Sequence, residues 1–499
     1  MAPRRDPRHE SQSTVSSGPT GLSRKRLLRL GAGGLAAVAA GVAGGVGVTV
    51  VRPRVAHAAT APELGITPSN SPTTNRNNLV AALTNNPTLS ITFPAGDYRL
   101  DNSKAANNNA NYIVINDFAG TLTMQSGARL LFTDRTQGGL YFEGGTGAEF
   151  TGIVATFTTL PSVRNNLHIF LIRNTTDTTI NGYTVNGSAG AGLLFSRCVR
   201  PRVTNVLITN TMADGLHFAN CQDSYADEIR AENTGDDGLA FLNYADGPDL
   251  TGGFASDITI VNSKARGITV IGQRNVTVDH FGVNWSAVSG IKVGYESSYN
   301  TRVPTNVRFQ NGFVYNGGQL SGGQSGNRFG IEVHHVGEVF FTNVDVDNAG
   351  TRGVSSYAHP FSQGGQGTVH LTDVVVTNAP SNGFNLQGGR YYLDELVARD
   401  TNESGYSISD ASLVEYGDLH ADRTSKTSTL RRAFDVQRNT QVNGSHLWVH
   451  DDQATPTGYR VFTGGTQAGT LGAIHGCVVN GGVEVQNNSG LSYSLAGCG

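Results

Sequence analysis

The chain has 499 residues, of which 64 are glycine, 15% are charged and 8% are aromatic, and its formal net charge is −3. Charge this sparse excludes a coiled coil or a charged disordered chain, and a hydrophobic content of 38% is sufficient for a buried core. Glycine is about twice as frequent as the usual ~7%, so its abundance requires an architectural reason.

The N-terminal segment, residues 1–58, has the pattern of an export signal. Arg24-Lys25-Arg26 precedes an apolar run rich in Gly and Ala at residues 27–51, and Ala56-His57-Ala58 provides a cleavage site. Residues 23–29 resemble a twin-arginine box with Lys in the second arginine position, so a secreted protein is predicted, exported by the twin-arginine or the general secretory route. A permanent membrane anchor is the alternative, because the run is long enough to cross a bilayer.

Removal of this segment would make the protein acidic. Residues 1–58 contain nine Lys or Arg and two acidic residues, so the formal net charge of the remaining chain is −10. An acidic protein is poorly suited to bind nucleic acid or an anionic membrane. We therefore expect no nucleic-acid partner and, after signal removal, no membrane partner.

A linker at residues 59–75 and a short helix are predicted next. Residues 74–83 read as an amphipathic helix that starts at Thr or Asn, and the apolar segment Leu89-Ser-Ile-Thr-Phe93 follows. Such a helix would cover the open end of a repetitive fold. The helix followed by Phe93-Pro-Ala-Gly-Asp-Tyr98 is similar to the start of many pectate-lyase-like β-helix proteins.

From Gly192 onward the sequence is periodic, with a base period of about 23 residues, in the range that is typical of solenoid repeats. Each repeat carries a small residue followed by an apolar, any and an apolar residue, as in Gly192-Leu-Leu-Phe195. The residue numbers of successive anchors differ by 23, 23, 29, 23, 40, 23, 30, 22, 28, 25 and 24. The anchors are Gly192, Gly215, Gly238, Gly267, Gly290, Gly330, Gly353, Gly383, Gly405, Ala433, Gly458 and Gly482.

This period fits either a leucine-rich repeat or a parallel β-helix. The regular leucine frame of the former is missing, whereas each period holds two or three short strands such as Asp257-Ile-Thr-Ile-Val261. We therefore predict that residues 76–499 form one all-β domain, a single-stranded right-handed parallel β-helix. Glycine at the anchors fits a tight corner, where a positive φ or close contact between coils excludes a Cβ.

The four cysteines follow the repeat. Cys198 and Cys221 lie six positions after their anchors, so neighbouring coils place them about 4.8 Å apart, within the range that a disulfide accepts. Export to an oxidising compartment favours the bond. We predict a Cys198–Cys221 disulfide and a second bond between Cys477 and Cys498, with two buried free cysteines as the alternative for the first pair.

Coil stacking also predicts an acidic cluster. Asp214 and Asp237 each precede an anchor glycine in adjacent coils, and Asp236 lies beside Asp237. Like charges on neighbouring coils disfavour joint ionisation, so one carboxyl group keeps a proton near neutral pH. Cleavage of a glycosidic bond needs such an acid, together with carboxylates that orient and deprotonate water. Aspartates that cap turns, or a calcium site, are the alternatives.

The same residues carry a family resemblance. Ala213-Asp214-Gly215-Leu216-His217 and Asn233-Thr234-Gly235-Asp236-Asp237-Gly238-Leu239-Ala240 resemble motifs of β-helical α-1,3-glucanases of the mycodextranase type and, more distantly, of polygalacturonases. The resemblance implies that the three Asp residues are the catalytic residues of an inverting hydrolysis. Lys292 partly matches the R-I-K of polygalacturonases, but their G-H-G has no counterpart, which disfavours a galacturonan substrate.

Further residues are candidates for substrate binding. His217 lies two positions after its anchor; in later coils Arg266 occupies the position of Asp214 and Asp237, and Lys292 occupies that of His217. Insertions that follow the same strands contain Tyr244, Tyr295 and Tyr299, which would wall a groove and stack on sugar rings. A surface hydrogen bond, a solvated charged face and loop tyrosines without a ligand are the respective alternatives.

These patterns predict a secreted, monomeric glycoside hydrolase that acts on an α-linked glucan or a related polysaccharide. No cofactor is expected, except calcium if the acidic cluster binds it. One alternative is a polysaccharide lyase on a uronan, in which Arg266 and Lys292 neutralise the carboxylate and one of them abstracts a proton. Another is a non-catalytic carbohydrate-binding or adhesion β-helix.

Overall fold

The computed structural model describes residues 58–107, 110–323, 327–357, 365–427, 432–451, 460–465, 468–478 and 485–496. The predicted export signal therefore lies outside the described residues, except for its last residue, Ala58. None of the helices in these ranges is long and apolar enough to span a membrane.

Nearly all of the regular structure in these ranges is β-strand. One α-helix, α1 (Pro72–Asn85), and two short 3-10 helices (Pro62–Leu64 and Ser297–Tyr299) are the exceptions. The strands are β1 (Ala58–Thr60), β2 (Ser90–Phe93), β3 (Gly96–Leu100), β4 (Ile113–Asn116), β5 (Thr121–Met124), β6 (Ala128–Phe132), β7 (Leu140–Glu143), β8 (Glu149–Phe157), β9 (Phe170–Arg173), β10 (Thr179–Ser188), β11 (Leu193–Ser196), β12 (Arg202–Thr211), β13 (Leu216–Ala219), β14 (Ser224–Glu232), β15 (Leu239–Leu242), β16 (Gly253–Ser263), β17 (Ile268–Ile271), β18 (Arg274–Ser286), β19 (Ser289–Gly294), β20 (Thr305–Tyr315), β21 (Phe329–His334), β22 (Glu338–Asp347), β23 (Val354–Tyr357), β24 (Thr368–Thr377), β25 (Phe384–Gln387), β26 (Arg390–Asp394), β27 (Leu396–Arg399), β28 (Tyr406–Ser409), β29 (Leu413–Asp422), β30 (Phe434–Gln437), β31 (Gln441–Asp451), β32 (Val461–Gly464), β33 (Ala468–Val478), β34 (Val485–Asn487) and β35 (Ser492–Ala496).

The strands wind into about 13 coils of a right-handed parallel β-helix, which confirms the predicted fold. Fifteen short strands of the described residues form a parallel sheet that runs from β4 to β34. Longer strands form a second parallel sheet, in which β12 pairs with β10 and β14. We call these the short-strand sheet and the long-strand sheet.

Asparagine shapes the turns of each coil. Asn205 has a φ of 55° and interrupts the pairing of β12, so that this long strand bends into two faces. Asn210 has a φ of 57° and begins the corner that leads to the short-strand sheet. Asn tolerates this left-handed backbone better than most residues. Both side chains donate to Asn residues one coil earlier, at 2.9 Å to Asn181 and 2.8 Å to Asn186.

The anchor glycines have another role. Gly215 and Gly238 do not have a positive φ. A Cβ on Gly215 would lie 2.5 Å from the carbonyl oxygen of Gly238, and one on Gly238 would lie 2.8 Å from that of Gly267. Close contact between consecutive coils, rather than a positive φ, therefore excludes a side chain at these corners.

The predicted anchors match the strand register up to Ala433. The residue after each anchor pairs with its equivalent in the next coil, from Leu193 through Leu216 to Phe434. Gly458 and Gly482 lie outside the described residues. The prediction is wrong in the next coil, because Phe434 pairs with Val461 and thus places Arg460, not Gly458, opposite Ala433.

One continuous hydrophobic core fills the solenoid and contains the first two cysteines. Phe195, Phe218 and Phe241 stack inside it with ring centroids 5.3 and 5.1 Å apart. Cys198 and Cys221 are both buried free cysteines, so the predicted disulfide is wrong and the alternative of two free thiols holds. The second predicted pair, Cys477 and Cys498, falls outside the residues whose side chains are described.

A helix covers the N-terminal end, as predicted for residues 74–83. It spans Pro72–Asn85 and begins at Ser71, whose hydroxyl accepts a hydrogen bond from the Thr74 amide at 3.1 Å. Its side chains at positions 75, 79 and 83 are buried, and the two leucines among them join the core. The segment predicted as a linker, residues 59–75, contains most of β1, a 3-10 helix and the start of α1, and β1 pairs with β2.

Candidate active site

The three aspartates lie at the corner that connects the long-strand sheet to the short-strand sheet. Asn233, with a φ of 53°, begins the second of two stacked corners, and the Thr234 hydroxyl donates to the carbonyl of Asp236 at 3.0 Å. The amide of Gly215 donates to the carbonyl of Asp237 in the next coil at 2.8 Å. This backbone ladder holds Asp214 and Asp237 in equivalent positions of adjacent coils.

The carboxyl groups of Asp214, Asp236 and Asp237 form a compact cluster. One oxygen from each lies within 4.8 Å of the others. The side chains are 12%, 16% and 4% exposed, respectively. The carboxylate of Asp214 also accepts a hydrogen bond from the backbone amide of Asp237 at 3.0 Å. The cluster is therefore largely removed from solvent. Interactions between charges are stronger in such a buried setting than in water.

Each carboxylate has its own cationic or ionisable partner. Asp214 lies 2.6 Å from Nδ1 of His217, and Nη1 of Arg164 lies 2.6 Å from Asp236. Asp237 accepts hydrogen bonds from the backbone amide and Nη2 of Arg266, both at 3.1 Å.

The environments of Asp237 and Asp214 shift their pKa values in opposite directions. Burial raises the pKa of Asp237 well above its usual value, and the neighbouring Asp236 and Asp214 add to this, although Arg266 opposes it. Burial also acts on Asp214, but the hydrogen bond and charge of His217 outweigh it and lower the pKa of that carboxyl. The cluster thus combines one carboxyl group that keeps its proton to higher pH than usual with another that ionises more readily than usual.

The outer face of the short-strand sheet continues the charged network. In register, His217 is followed by Ala240, Thr269, Lys292 and Glu332. Nζ of Lys292 donates to Glu296 at 2.8 Å, and Nη2 of Arg266 lies 3.8 Å from the same carboxylate. Glu332 is 2% exposed and accepts hydrogen bonds from Tyr357 at 2.6 Å and Ser289 at 2.9 Å. Arg266 and Lys292 are therefore held in ion pairs beside this face.

Two of the predicted loops meet beside this face. Tyr244 forms an antiparallel bridge with Thr301, and Nη2 of Arg302 donates to the carbonyl of Gly247 at 3.0 Å. The ring of Tyr244 packs against a small apolar cluster, and burial raises its pKa. Tyr299, at 64% exposed, presents its ring to solvent.

Tyr295 lies between the loop and the next coil. Its ring centroid is 5.1 Å from that of His335, so part of its surface is already covered. Of the three predicted tyrosines, Tyr299 therefore offers the most ring surface to a sugar.

Three residues of this neighbourhood did not emerge from the sequence patterns. Arg164 and His168 lie between β8 and β9, before the regular repeats begin, so no register relates them to Asp214. Nδ1 of His168 accepts a hydrogen bond from the Ala191 amide at 2.8 Å, and burial together with the charge of His217 lowers its pKa to about 4. Glu296 stands beside Tyr295 in the insertion and carried no signal of its own.

The donor set of the cluster is poorly suited to calcium. Three carboxylates could contribute oxygen ligands. Two of them, however, already contact the guanidinium groups of Arg164 and Arg266, which repel a dication. Calcium prefers six to eight oxygen ligands, so the cluster would need several additional ones.

Comparisons with known proteins give similarity of fold only. No family model and no curated protein matches the chain. Among solved structures, the catalytic domain of a GH87 alpha-1,3-glucanase in complex with nigerose matches with 15% identity and a TM-score of 0.49, over 73% of this chain and 66% of that chain. A Family 28 exopolygalacturonase from Yersinia enterocolitica matches with 12% identity and a TM-score of 0.45, over 77% and 78% of the respective chains. The Siphovirus 9NA tailspike receptor binding domain matches with 10% identity and a TM-score of 0.40, over 89% and 76%. What the chain has in common with them is a right-handed parallel β-helix.

Proposed function

We propose that this protein is an exported glycoside hydrolase that cleaves a neutral α-linked glucan with Asp214, Asp236 and Asp237. The observation that carries this proposal is the cluster itself: three carboxyl oxygens within 4.8 Å of one another, in a setting that raises one pKa and lowers another. Glycosidic hydrolysis needs this combination of an acid and a base.

The contacts suggest a role for each aspartate. Asp237 donates the proton to the leaving oxygen, because it is the carboxyl group whose pKa is raised. Asp214 acts on the attacking water as a base, because His217 stabilises its ionised form. Asp236 forms an ion pair with Arg164 and helps to orient the water. Two carboxylate oxygens up to 4.8 Å apart can share a single water, since each O–H···O bond spans about 2.7 Å.

The charges around the cluster favour a neutral substrate. Two further acidic residues, Glu296 and Glu332, and three cations, Arg164, Arg266 and Lys292, lie around the three aspartates. Arg164 and Arg266 pair with the cluster and Lys292 pairs with Glu296, so these three cations are not left to attract the carboxylate of a uronan. A lyase would need a free cation for the uronate and a free base, whereas Arg266 and Lys292 are both engaged in ion pairs. These contacts favour hydrolysis over elimination.

Inversion of the anomeric centre is proposed from the sequence resemblance. The closest oxygens of the three carboxyl groups are nearer than the ~6.5–9.5 Å between the two carboxyl groups of inverting enzymes, and nearer even than the ~5–5.5 Å of retaining ones. Because the three carboxyl groups lie this close together, inversion requires that two of them hold the attacking water while the third protonates the leaving oxygen. Proton NMR of the first product distinguishes the outcomes: a β-anomer from an α-linkage is expected, and an α-anomer would replace inversion by retention.

A panel of polysaccharides tests the activity. The purified protein is incubated with α-1,3-glucan, dextran, starch and polygalacturonate, and both new reducing ends and ultraviolet absorbance of unsaturated ends are measured. Reducing ends without absorbance are expected from an α-glucan, with or without a chelator. Absorbance from polygalacturonate would instead establish a lyase.

Matched variants connect the activity to the cluster. Asp214→Asn, Asp236→Asn and Asp237→Asn should each lower kcat by about 10²–10⁴, the usual contribution of acid–base catalysis. Asp177→Asn serves as the control, because the Asp177 side chain is 47% exposed and forms an ion pair with Arg200 outside the cluster. Full activity of the three cluster variants would refute the proposal.

A further inference from the structure

A ladder of stacked planar side chains runs along the long-strand sheet and ends within it. Arg308, Phe340, His370 and Tyr392 follow one another in register on four consecutive coils. The guanidinium carbon of Arg308 lies 3.9 Å from the ring centroid of Phe340. The centroids of Phe340 and His370 are 4.4 Å apart, and those of His370 and Tyr392 are 4.9 Å apart, with rings within 12° of parallel.

The stack stops at Tyr392. The next residues in register are Glu415 and Asn443, and neither is aromatic. One face of the Tyr392 ring is therefore covered by His370, and the other is turned toward a coil that offers no ring. Tyr225 provides the contrast on the same sheet, because Arg202 and Phe254 stack on it from both neighbouring coils, at 5.2 and 5.7 Å.

A cavity of about 400 Å³ lies where the ladder ends. Its size falls within the ~300–1,000 Å³ of small-ligand pockets. Gly417 lines the cavity, and a Cβ at this position would lie 2.1 Å from the carboxylate of Asp394, which lines it too. The residues that line it include Tyr392, Asp394, Glu415, Asn443 and Ser445.

The polar groups of the cavity are available to a ligand. Within the ranges that the structure describes, the side chains of Glu415 and Asn443 form no hydrogen bond or ion pair, and both are exposed. Carboxylates accept hydrogen bonds from hydroxyl groups, and an amide both donates and accepts. An aromatic face next to such groups suits a pyranose ring, which has an apolar C–H face and a rim of hydroxyls.

We propose that this cavity binds one sugar residue of a neutral glycan, with its ring stacked on the free face of Tyr392 as the next step of the ladder. Glu415, Asp394 and Asn443 bind its hydroxyl groups. The catalytic candidates are placed at the corner before the short-strand sheet, whereas this cavity lies on the outer face of the long-strand sheet. It would hold the protein on a polymer without taking part in bond cleavage.

Adsorption to insoluble α-1,3-glucan tests the proposal. The full chain carrying Asp237→Asn is used so that the polymer is not consumed, and Tyr392→Ala, Glu415→Ala and Tyr225→Ala are each added to it. Tyr392→Ala should weaken adsorption about tenfold, which corresponds to about 1.4 kcal/mol. Glu415→Ala should also weaken it, and since Glu415 is exposed and makes no bonds, this variant does not depend on the stability of the ladder. Tyr225→Ala should adsorb like the parent.

Two further results keep this site separate from the catalytic one. With Asp237 restored, Tyr392→Ala should hydrolyse a soluble α-1,3-linked oligosaccharide with unchanged kcat/KM. The proposal is overturned if the parent does not adsorb, if Tyr392→Ala and Glu415→Ala adsorb like the parent, or if Tyr225→Ala loses as much as Tyr392→Ala. Absence of hydrolysis together with Tyr392-dependent adsorption would contradict only the proposed catalytic function.

Discussion

Removal of the Arg266 side-chain charge should move the alkaline limb of the activity profile. The group that protonates the leaving oxygen must carry its proton, so activity falls as pH rises through its pKa. Arg266 donates to Asp237 and opposes the rise in the pKa of that carboxyl that burial causes. In Arg266→Met the pKa of Asp237 should therefore be higher still, and the enzyme should stay active to higher pH.

The size of the shift follows from the contact. Nε of Arg266 lies 2.9 Å from Oδ1 of Asp237, and the two side chains are 15% and 4% exposed. Two unit charges about 4 Å apart interact by about 1 kcal/mol in water and about 4 kcal/mol at an effective dielectric constant of 20. At 1.36 kcal/mol per pKa unit, this corresponds to about one to three units. The limb should move up by at least about one pH unit.

The assay is the pH dependence of kcat/KM for release of reducing ends. Arg266→Lys is the matched control, because it retains the charge and should keep the limb near its original position. Arg164→Met removes the partner of Asp236 and should move the limb by much less. If Arg164→Met moved the limb and Arg266→Met did not, the proton donor would be Asp236, and the reasoning from Asp237 would be refuted.

Two further predictions concern the solenoid. Gly238→Ala should lower Tm, because its Cβ would lie 2.3 Å from a methyl carbon of Ile260 and 2.8 Å from the Gly267 carbonyl oxygen, and overpacking costs about 1–3 kcal/mol. Gly365→Ala is the control, because no atom of the described residues lies within 4 Å of the new Cβ. Equal Tm values for the two variants in a thermal melt would contradict the close-contact explanation. Cys198 and Cys221 should both react with a thiol reagent after unfolding under non-reducing conditions, and mass spectrometry should show the added mass on each. If neither cysteine were labelled, the predicted disulfide would be correct after all.

The repeat made much of the structure predictable. Parallel coils place residues one period apart in contact, so the single-period step from Asp214 to Asp237 was enough to predict that their carboxyl groups meet. Insertions did not disturb this, because Gly267 returns to the register after the longer step that separates it from Gly238. The repeat alone was thus enough to predict which corner residues are adjacent, without any knowledge of side-chain conformation.

Other features lie outside what a repeat can specify. Arg164 reaches Asp236 across 72 residues of sequence from a segment that precedes the regular anchors, and no period connects them. Glu296 belongs to an insertion, whose path depends on its contacts with another loop. The cysteines show a different limit. The register correctly predicts that Cys198 lies beside Cys221, but the Cys198 thiol accepts a hydrogen bond from the Thr175 hydroxyl at 3.3 Å and donates one to the Ile172 carbonyl at 3.4 Å. Proximity of two coils does not by itself form a bond.

The glycine corners and the acidic cluster are physically connected. Two carboxylates about 4.8 Å apart repel each other by about 3 kcal/mol at an effective dielectric constant of 20, so the aspartates would separate if the backbone allowed it. The coils themselves cannot move apart easily, because the Gly215 amide bonds to the Asp237 carbonyl at 2.8 Å and the Gly215 corner lies against the next coil. The Asp237 amide also holds the Asp214 carboxylate at 3.0 Å. Arg164 and Arg266 offset part of the repulsion, and a proton on Asp237 offsets more. Stacking of the coils thus maintains the strained charge arrangement on which the proposed chemistry depends.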